Sequence, residues 1–159
     1  KGFYTIRQSP EGTISDVCVV SNGYMLGRAL KVAERLETDG YRVCVVDLFK
    51  IKSIDLKRFS EVLQNCDNVV TLEEQFLSGG LGSYVCETLA DLGIQKRILR
   101  IGLPERYNFE NGTREELLDS NGLSIETIYN NVFPMLNIVN PDENERLMQL
   151  ESTTVSWGS

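Results

Sequence analysis

Histidine is absent from all 159 residues. That removes the commonest general base and the commonest zinc ligand together, so any chemistry falls to other groups. Basic residues are few, 16 against 23 acids, and they form no cluster. A net charge of −7 without a basic patch argues against nucleic acid or an anionic membrane surface as a partner. Proline is scarce, at four residues, and no apolar run approaches the length of a membrane span. The four cysteines, Cys18, Cys44, Cys66 and Cys86, contain no CxxC pair, and the first two lie in "VCVV" runs. Buried free thiols in a reducing cytoplasm fit this pattern better than a disulfide framework or a metal site. The sequon Asn111-Gly112-Thr113 carries little meaning where no secretory signal is visible. The expectation is a soluble cytoplasmic protein and, since Lys1 stands where an initiator methionine would, a piece of something larger.

A hydrophobic content of 42% with 25% charged residues is ordinary for one globular domain of this length. Four short runs rich in Val and Ile read as buried strands: "VCVVS" (17–21), "RVCVVDL" (42–48), "NVVTLEE" (68–74) and "RILRIG" (97–102). Amphipathic segments fill the gaps. Leu26, Leu30, Ala33 and Leu36 recur at helical spacing before Gly40; Leu56, Phe59 and Leu63 repeat the pattern, as do Val85, Leu89 and Leu92 before Gly93. This alternation predicts a three-layer α/β/α, Rossmann-like domain with a mainly parallel sheet and right-handed crossovers. Thr113 and Glu116 in "TREELL" form a capping-box signature after the irregular "GLPERYNFENG", and a last helix runs from Ser124 toward Met135. The domain is expected to span 14–136. Residues 1–13 read as the last strand of a preceding domain plus a linker containing Pro10 and Gly12, and 137–159 as a C-terminal tail.

Two glycine-bearing strand-to-helix junctions invite a phosphate. In "SNGYMLGRA" (21–29), Gly23 and Gly27 match neither GxGxxG nor GxxxxGK[ST]; Gly23 is expected to make the turn and Gly27 to let the helix approach the sheet. In "EEQFLSGGLGS" (73–83), Gly79, Gly80, Gly82 and Ser83 would present free N–H groups at a helix start. Glu73 and Glu74 would repel an anion there unless a metal intervened, and no Asp cluster is present to hold one. The expected role is a closely packed structural or interface corner, with Glu74 accepting hydrogen bonds from backbone amides. Lys50 and Lys52 read as a solvated strand edge, and Lys31, Glu34 and Arg35 as an outer helix face with internal pairs. Arg7 either grips an anion bidentately or pairs at the surface.

Three segments in order, "VVDLFKIKSID", "VVTLEEQFLSGGLGSYVCETLADLG" and "RIGLPERYNFENGTREELLDSNGLSIETI", resemble the C-terminal domain of the transketolase family of thiamine diphosphate enzymes over roughly residues 14–130. Ile51, Lys52, Ile54 and Asp55 keep the family's "IKPLD"-like run, with Ser53 in place of its proline. Gly102, Leu103, Pro104 and Arg106 resemble its G-x-P-D-x-F turn, with Glu105 and Tyr107 departing from it. The resemblance implies that thiamine diphosphate and Mg are bound by the rest of the enzyme, on pyrophosphate- and pyrimidine-binding domains or a partner subunit, and that none is bound by this chain. The family's GDG metal motif does not occur here. The domain's implied role is to complete a homodimer and stiffen it, with Glu74, Gly79, Gly80, Gly82 and Ser83 forming a corner near subunit contacts and no catalytic residue on this chain.

The implied reaction of the whole enzyme is transfer of a ketol unit between sugar phosphates. "YTIRQSP" resembles the end of the family's pyrimidine-binding domain, where an "SRQ"-like arginine holds the sugar phosphate; this implies that 1–13 carry the last strand of that preceding pyrimidine-type domain and that Arg7 contacts substrate. Deoxyxylulose-phosphate synthases carry an arginine before the "VKPLD" run, where this chain has Phe49, and that lowers the synthase alternative. The β subunits of 2-oxo-acid dehydrogenases share the domain. Two readings of other classes stand beside these: a stand-alone interaction module, and a regulatory domain that binds nucleotides through the Gly23 and Gly80 turns.

Overall fold

The four apolar runs become four parallel strands, and a fifth strand joins them, in a computed structural model that describes residues 2–106 and 111–137. The strands are β1 (Tyr4–Arg7), β2 (Ser15–Ser21), β3 (Val43–Asp47), β4 (Cys66–Phe76) and β5 (Arg97–Leu103). The helices are α1 (Met25–Thr38), α2 (Leu56–Gln64), α3 (Leu81–Asp91), α4 (Arg114–Leu118) and α5 (Ile125–Leu136). The sheet order is β1-β3-β2-β4-β5, with β1 antiparallel to β3 and the other pairings parallel.

Successive side chains of a strand point to opposite faces, and both faces here are covered. Val17, Val19, Val43, Val45, Val70 and Leu72 pack against α1 and α5. Cys18, Val20, Cys44, Val46 and Val69 pack against α2 and α3. Each fully buried valine or leucine contributes about 1.5–3 kcal/mol over leaving it exposed. The expected α/β/α layering follows from those two cores.

In α1 the fully buried stripe is Met25, Ala29, Val32, Ala33 and Leu36, with Leu26 and Leu30 on its flank. The helix stops where Gly40 takes φ +93, a conformation only glycine adopts without cost. Arg35 does not pair along its own helix as expected. It reaches Glu126 of α5 and lies 3.7 Å over the Tyr129 ring, so the charged face of α1 ties two helices together. The capping box forms as read: Glu116 accepts from Thr113 N at 2.8 Å, and these bonds hold its carboxyl below the ordinary carboxylate value. A kinked turn at Asp119–Leu123, with Gly122 at φ +81, leads to α5, capped by Ser124 at 3.1 Å from Thr127 N.

Tyr4–Arg7, assigned above to a preceding domain, lies as the antiparallel edge strand on β3. Phe3 beside it is 5% exposed and packs on Phe59 of α2 with ring centroids 5.2 Å apart. Of the 137–159 tail, only Asn137 falls within the described residues; Tyr107 and Lys1 also lie outside them. Among the described residues no helix is long and apolar enough to cross a membrane.

Candidate functional site

Near its end, just before Gln75 and Phe76, β4 carries two consecutive glutamates, and strand alternation sends them to opposite faces. Glu73 turns toward α3 and is 1% exposed. Its two carboxylate oxygens accept the N–H of Leu81 at 2.7 Å and of Gly82 at 2.9 Å, the first amides of α3. This corrects the expectation for Glu74. Glu74 faces the other side, where Arg114 grips it through Nε and Nη2, Nε lying 3.0 Å from Oε2. A helix N-terminus favours negative charge and offers orphan donors. The anion that the glycine loop is shaped to hold is therefore the chain's own Glu73 carboxylate.

The glycines make that approach possible. A Cβ on Gly80 would stand 2.0 Å from Glu73 Oε2 and 2.8 Å from the Phe76 carbonyl. One on Gly82 would stand 2.7 Å from Thr71 Oγ1, 2.8 Å from Arg100 Nε and 3.0 Å from Glu73 Oε1. Gly102 of β5 closes the third side: a Cβ there would stand 2.8 Å from the Gln75 carbonyl and 3.0 Å from Glu73 Cγ. Gly79 supplies the turn itself at φ +74. Ser83 Oγ then stitches the loop: it accepts from Gly79 N at 2.9 Å and from Arg100 Nη2 at 3.0 Å, and donates to the Leu77 carbonyl at 2.9 Å. Gly79, Gly80, Gly82 and Ser83 thus meet at one corner, with half-exposed Phe76 on its outer side and Glu74 across the sheet. The amides of Gly79, Leu81 and Gly82, which a pyrophosphate would need as donors, already have partners within the chain, so the corner is a poor fit for that group. Among the described residues no group of three or more His, Cys, Asp or Glu is arranged for a metal ion.

The other junction is built differently. Gly23 makes the turn after β2 at φ +54, as expected. Gly27 does not serve close packing: a Cβ there would meet nothing within 4 Å. It borders an open cleft with Tyr24, Arg28, Lys31, Glu115 and Asp119. Arg28, which sequence reasoning passed over, is 6% exposed and donates to Asp119 Oδ1 at 2.6 Å, to Glu115 and to the Leu123 carbonyl. Its signal in the sequence was a cation inside the apolar stripe of α1, between Met25 and Val32.

The remaining candidates lie apart. Arg7 Nη1 is 2.8 Å from Glu37 and Nη2 3.6 Å from Glu34, so two carboxylates of α1 already surround its charge. Lys50 and Lys52 are exposed. Phe49 stacks on Tyr4 with centroids 5.1 Å apart. Ser53 adopts φ +64, which a proline ring at that position would forbid. Asp55 caps α2 through Arg58 N at 3.1 Å.

Residues 10–128 match the family model "Transketolase, C-terminal domain". Among curated relatives, 1-deoxy-D-xylulose-5-phosphate synthase of Aquifex aeolicus is 34% identical over 113 residues, and that of Thioalkalivibrio sulfidiphilus 39% over 123. Those stretches cover 71% and 77% of this chain but only 18% of each relative. Among solved structures, a split-gene transketolase in the form of an inactive β4 tetramer superposes with a TM-score of 0.73 at 29% identity, over 87% of this chain and 43% of that one. The transketolase of Campylobacter jejuni shares the fold, with a TM-score of 0.60 at 18% identity over 84% of this chain and 18% of that one. The chain belongs to the transketolase C-terminal domain family.

Proposed function

We propose that this chain is the assembly domain of a thiamine diphosphate enzyme that transfers a ketol unit between sugar phosphates, the cofactor and Mg being held by pyrophosphate- and pyrimidine-binding domains outside it. The observation that carries the reading is Glu73. A domain that held the cofactor through its glycine loop would keep the amides of Leu81 and Gly82 free for phosphate, and here both are taken by a buried side chain. The thiamine diphosphate would supply the carbanion that carries the transferred carbons. This chain's residues contribute rigidity: the stitched corner at Gly79–Ser83 and the Arg114–Glu74 pair hold the C-terminal ends of β4 and β5 in one arrangement. Self-association of this domain is supported by the split-gene neighbour, described as a β4 tetramer and as inactive. We place the subunit-contact surface at the outer side of that corner, around Phe76.

Calorimetric titration of the chain with thiamine diphosphate and magnesium tests the reading. Absence of stoichiometric binding is expected; saturable binding would overturn it. A second reading, 1-deoxy-D-xylulose-5-phosphate synthase, is favoured by the names of the curated relatives. Assays of the complete enzyme separate the two. Ketol transfer from a ketose phosphate to an aldose phosphate supports the first, and formation of 1-deoxy-D-xylulose 5-phosphate the second. Turnover of a 2-oxo acid without either product would move the chain to the dehydrogenase β subunits.

A further inference from the structure

Three of the four cysteines meet in the core between the sheet and α2. Cys18 of β2 and Cys44 of β3 are direct register partners on neighbouring parallel strands, and both point to the α2–α3 face. Neighbouring strands lie about 4.7–4.9 Å apart, inside the Cα separation of about 4.4–6.8 Å that a disulfide spans. Cys66 belongs to the same cluster, but its thiol donates to the Leu63 carbonyl at 3.1 Å. Cys86 lies on α3, partly exposed.

The two partners differ in access. Cys18 is fully buried, whereas Cys44 is 5% exposed and lines a cleft of about 440 Å³ between the β1–β2 connection and α2, together with Ser9, Gly12, Arg58 and Glu61. We propose that Cys44 and Cys18 form a peroxide-responsive thiol pair, in which Cys44 is oxidised through this cleft and Cys18 resolves it as a disulfide bridging β2 and β3.

In the first step the Cys44 thiolate attacks a hydroperoxide. The O–O bond breaks, one oxygen passes to sulfur as sulfenic acid, and the peroxide is reduced to water or an alcohol. In the second, the Cys18 sulfur attacks the Cys44 sulfur. The S–S bond forms, the S–O bond breaks, and the leaving hydroxide departs as water with the Cys18 proton. The order fits the thiols' acidities. Donation from Cys18 holds Cys44 below the ordinary thiol value, while donation toward Cys44 and Cys66, followed by burial, pushes Cys18 well up. Cys44 is the more acidic of the two partners, and the thiolate is the form that reacts. The site is independent of the Glu73 corner and of the assembly role proposed above.

Graded hydrogen peroxide on the full chain, quenched by alkylation and followed by digestion and mass spectrometry without reduction, reads the pair directly. The expected result is a cross-link between the Cys18 and Cys44 peptides that dithiothreitol removes, with Cys66 recovered in alkylated form after denaturation. Cys44→Ala should leave Cys18 reduced at the same peroxide dose. Cys18→Ser, which keeps a donor beside Cys44 but no resolving sulfur, should leave a sulfenic acid at Cys44 that dimedone traps. Oxidation of Cys86 alone, a Cys44 sulfenic acid that never links to Cys18 in the unsubstituted chain, or equal oxidation of Cys18 in Cys44→Ala would each overturn the proposal.

Discussion

The junctions β2–α1 and β4–α3 look alike as sequence, each a strand, two or more glycines and a helix, yet they solve opposite problems. At β4–α3 the glycines remove side chains from a space already filled by a buried carboxylate. At β2–α1 they serve chain direction and openness: Gly23 turns the backbone and Gly27 borders a cleft with nothing near its absent Cβ. The lesson is that a glycine after a strand reports a need for the backbone to be bare, and only its surroundings say whether the cause is crowding, a turn or vacancy.

Substitutions can break or sharpen that contrast. Gly80→Ala should cost the most, at least about 3 kcal/mol in denaturant titration, because its Cβ would collide with both the Glu73 carboxylate and the Phe76 backbone, and neither can retreat without losing buried hydrogen bonds. A loss under about 1 kcal/mol would show that the corner is not tightly packed. Glu73→Gln comes next. One carboxylate oxygen becomes an NH₂ facing an amide donor, so a loss of about 1–3 kcal/mol in the same titration is expected, with lower hydrogen-exchange protection at the first turn of α3.

On the open side the effects shrink and then change sign. Gly23→Ala should lose about 1 kcal/mol from the left-handed backbone alone, and Gly23→Asn should recover part of it; equal melting temperatures for the two would remove that explanation. Gly27→Ala should stabilise by about 0.5–1 kcal/mol, since it removes a helical glycine where nothing stands in the way. A destabilised Gly27→Ala would mean that the cleft at Arg28 is occupied or moves closed.

Much of the sheet was legible because β2, β3 and most of β4 are buried and must therefore be nearly continuous apolar runs, while the half-buried edge strand β5 keeps only its Ile and Leu as a signal; 17–21, 68–74 and 97–102 fall within strands, and 42–48 brackets β3 at Val43–Asp47. The same property hid the role of Glu73. In "VVTLEE" no alternation marks which side chain faces which helix, so the choice between Glu73 and Glu74 waits on the face that α3 covers. Thr113 and Glu116 were readable as a cap because the partners are three residues apart. Arg28 was not, because Glu115, Asp119 and Leu123 come from the far end of the chain. Phase also shifted in α1, where Met25 and Ala29 rather than Leu26 and Leu30 take the deepest positions, since packing chooses among several workable stripes. The strand β1 shows the limit of local pattern: its residues read as a strand, but nothing near them names the sheet it joins.

That edge strand also has a place in time. Among the described residues β1 pairs with β3 alone, so its hydrogen bonds close a loop that contains β2 and α1. Strands that depend on such distant partners join late and open first, with amide protons that exchange through local fraying rather than through global unfolding. Phe3, seated against Phe59, is the deep anchor of this edge, so hydrogen exchange should show β1 amides less protected than those of β2 and β4.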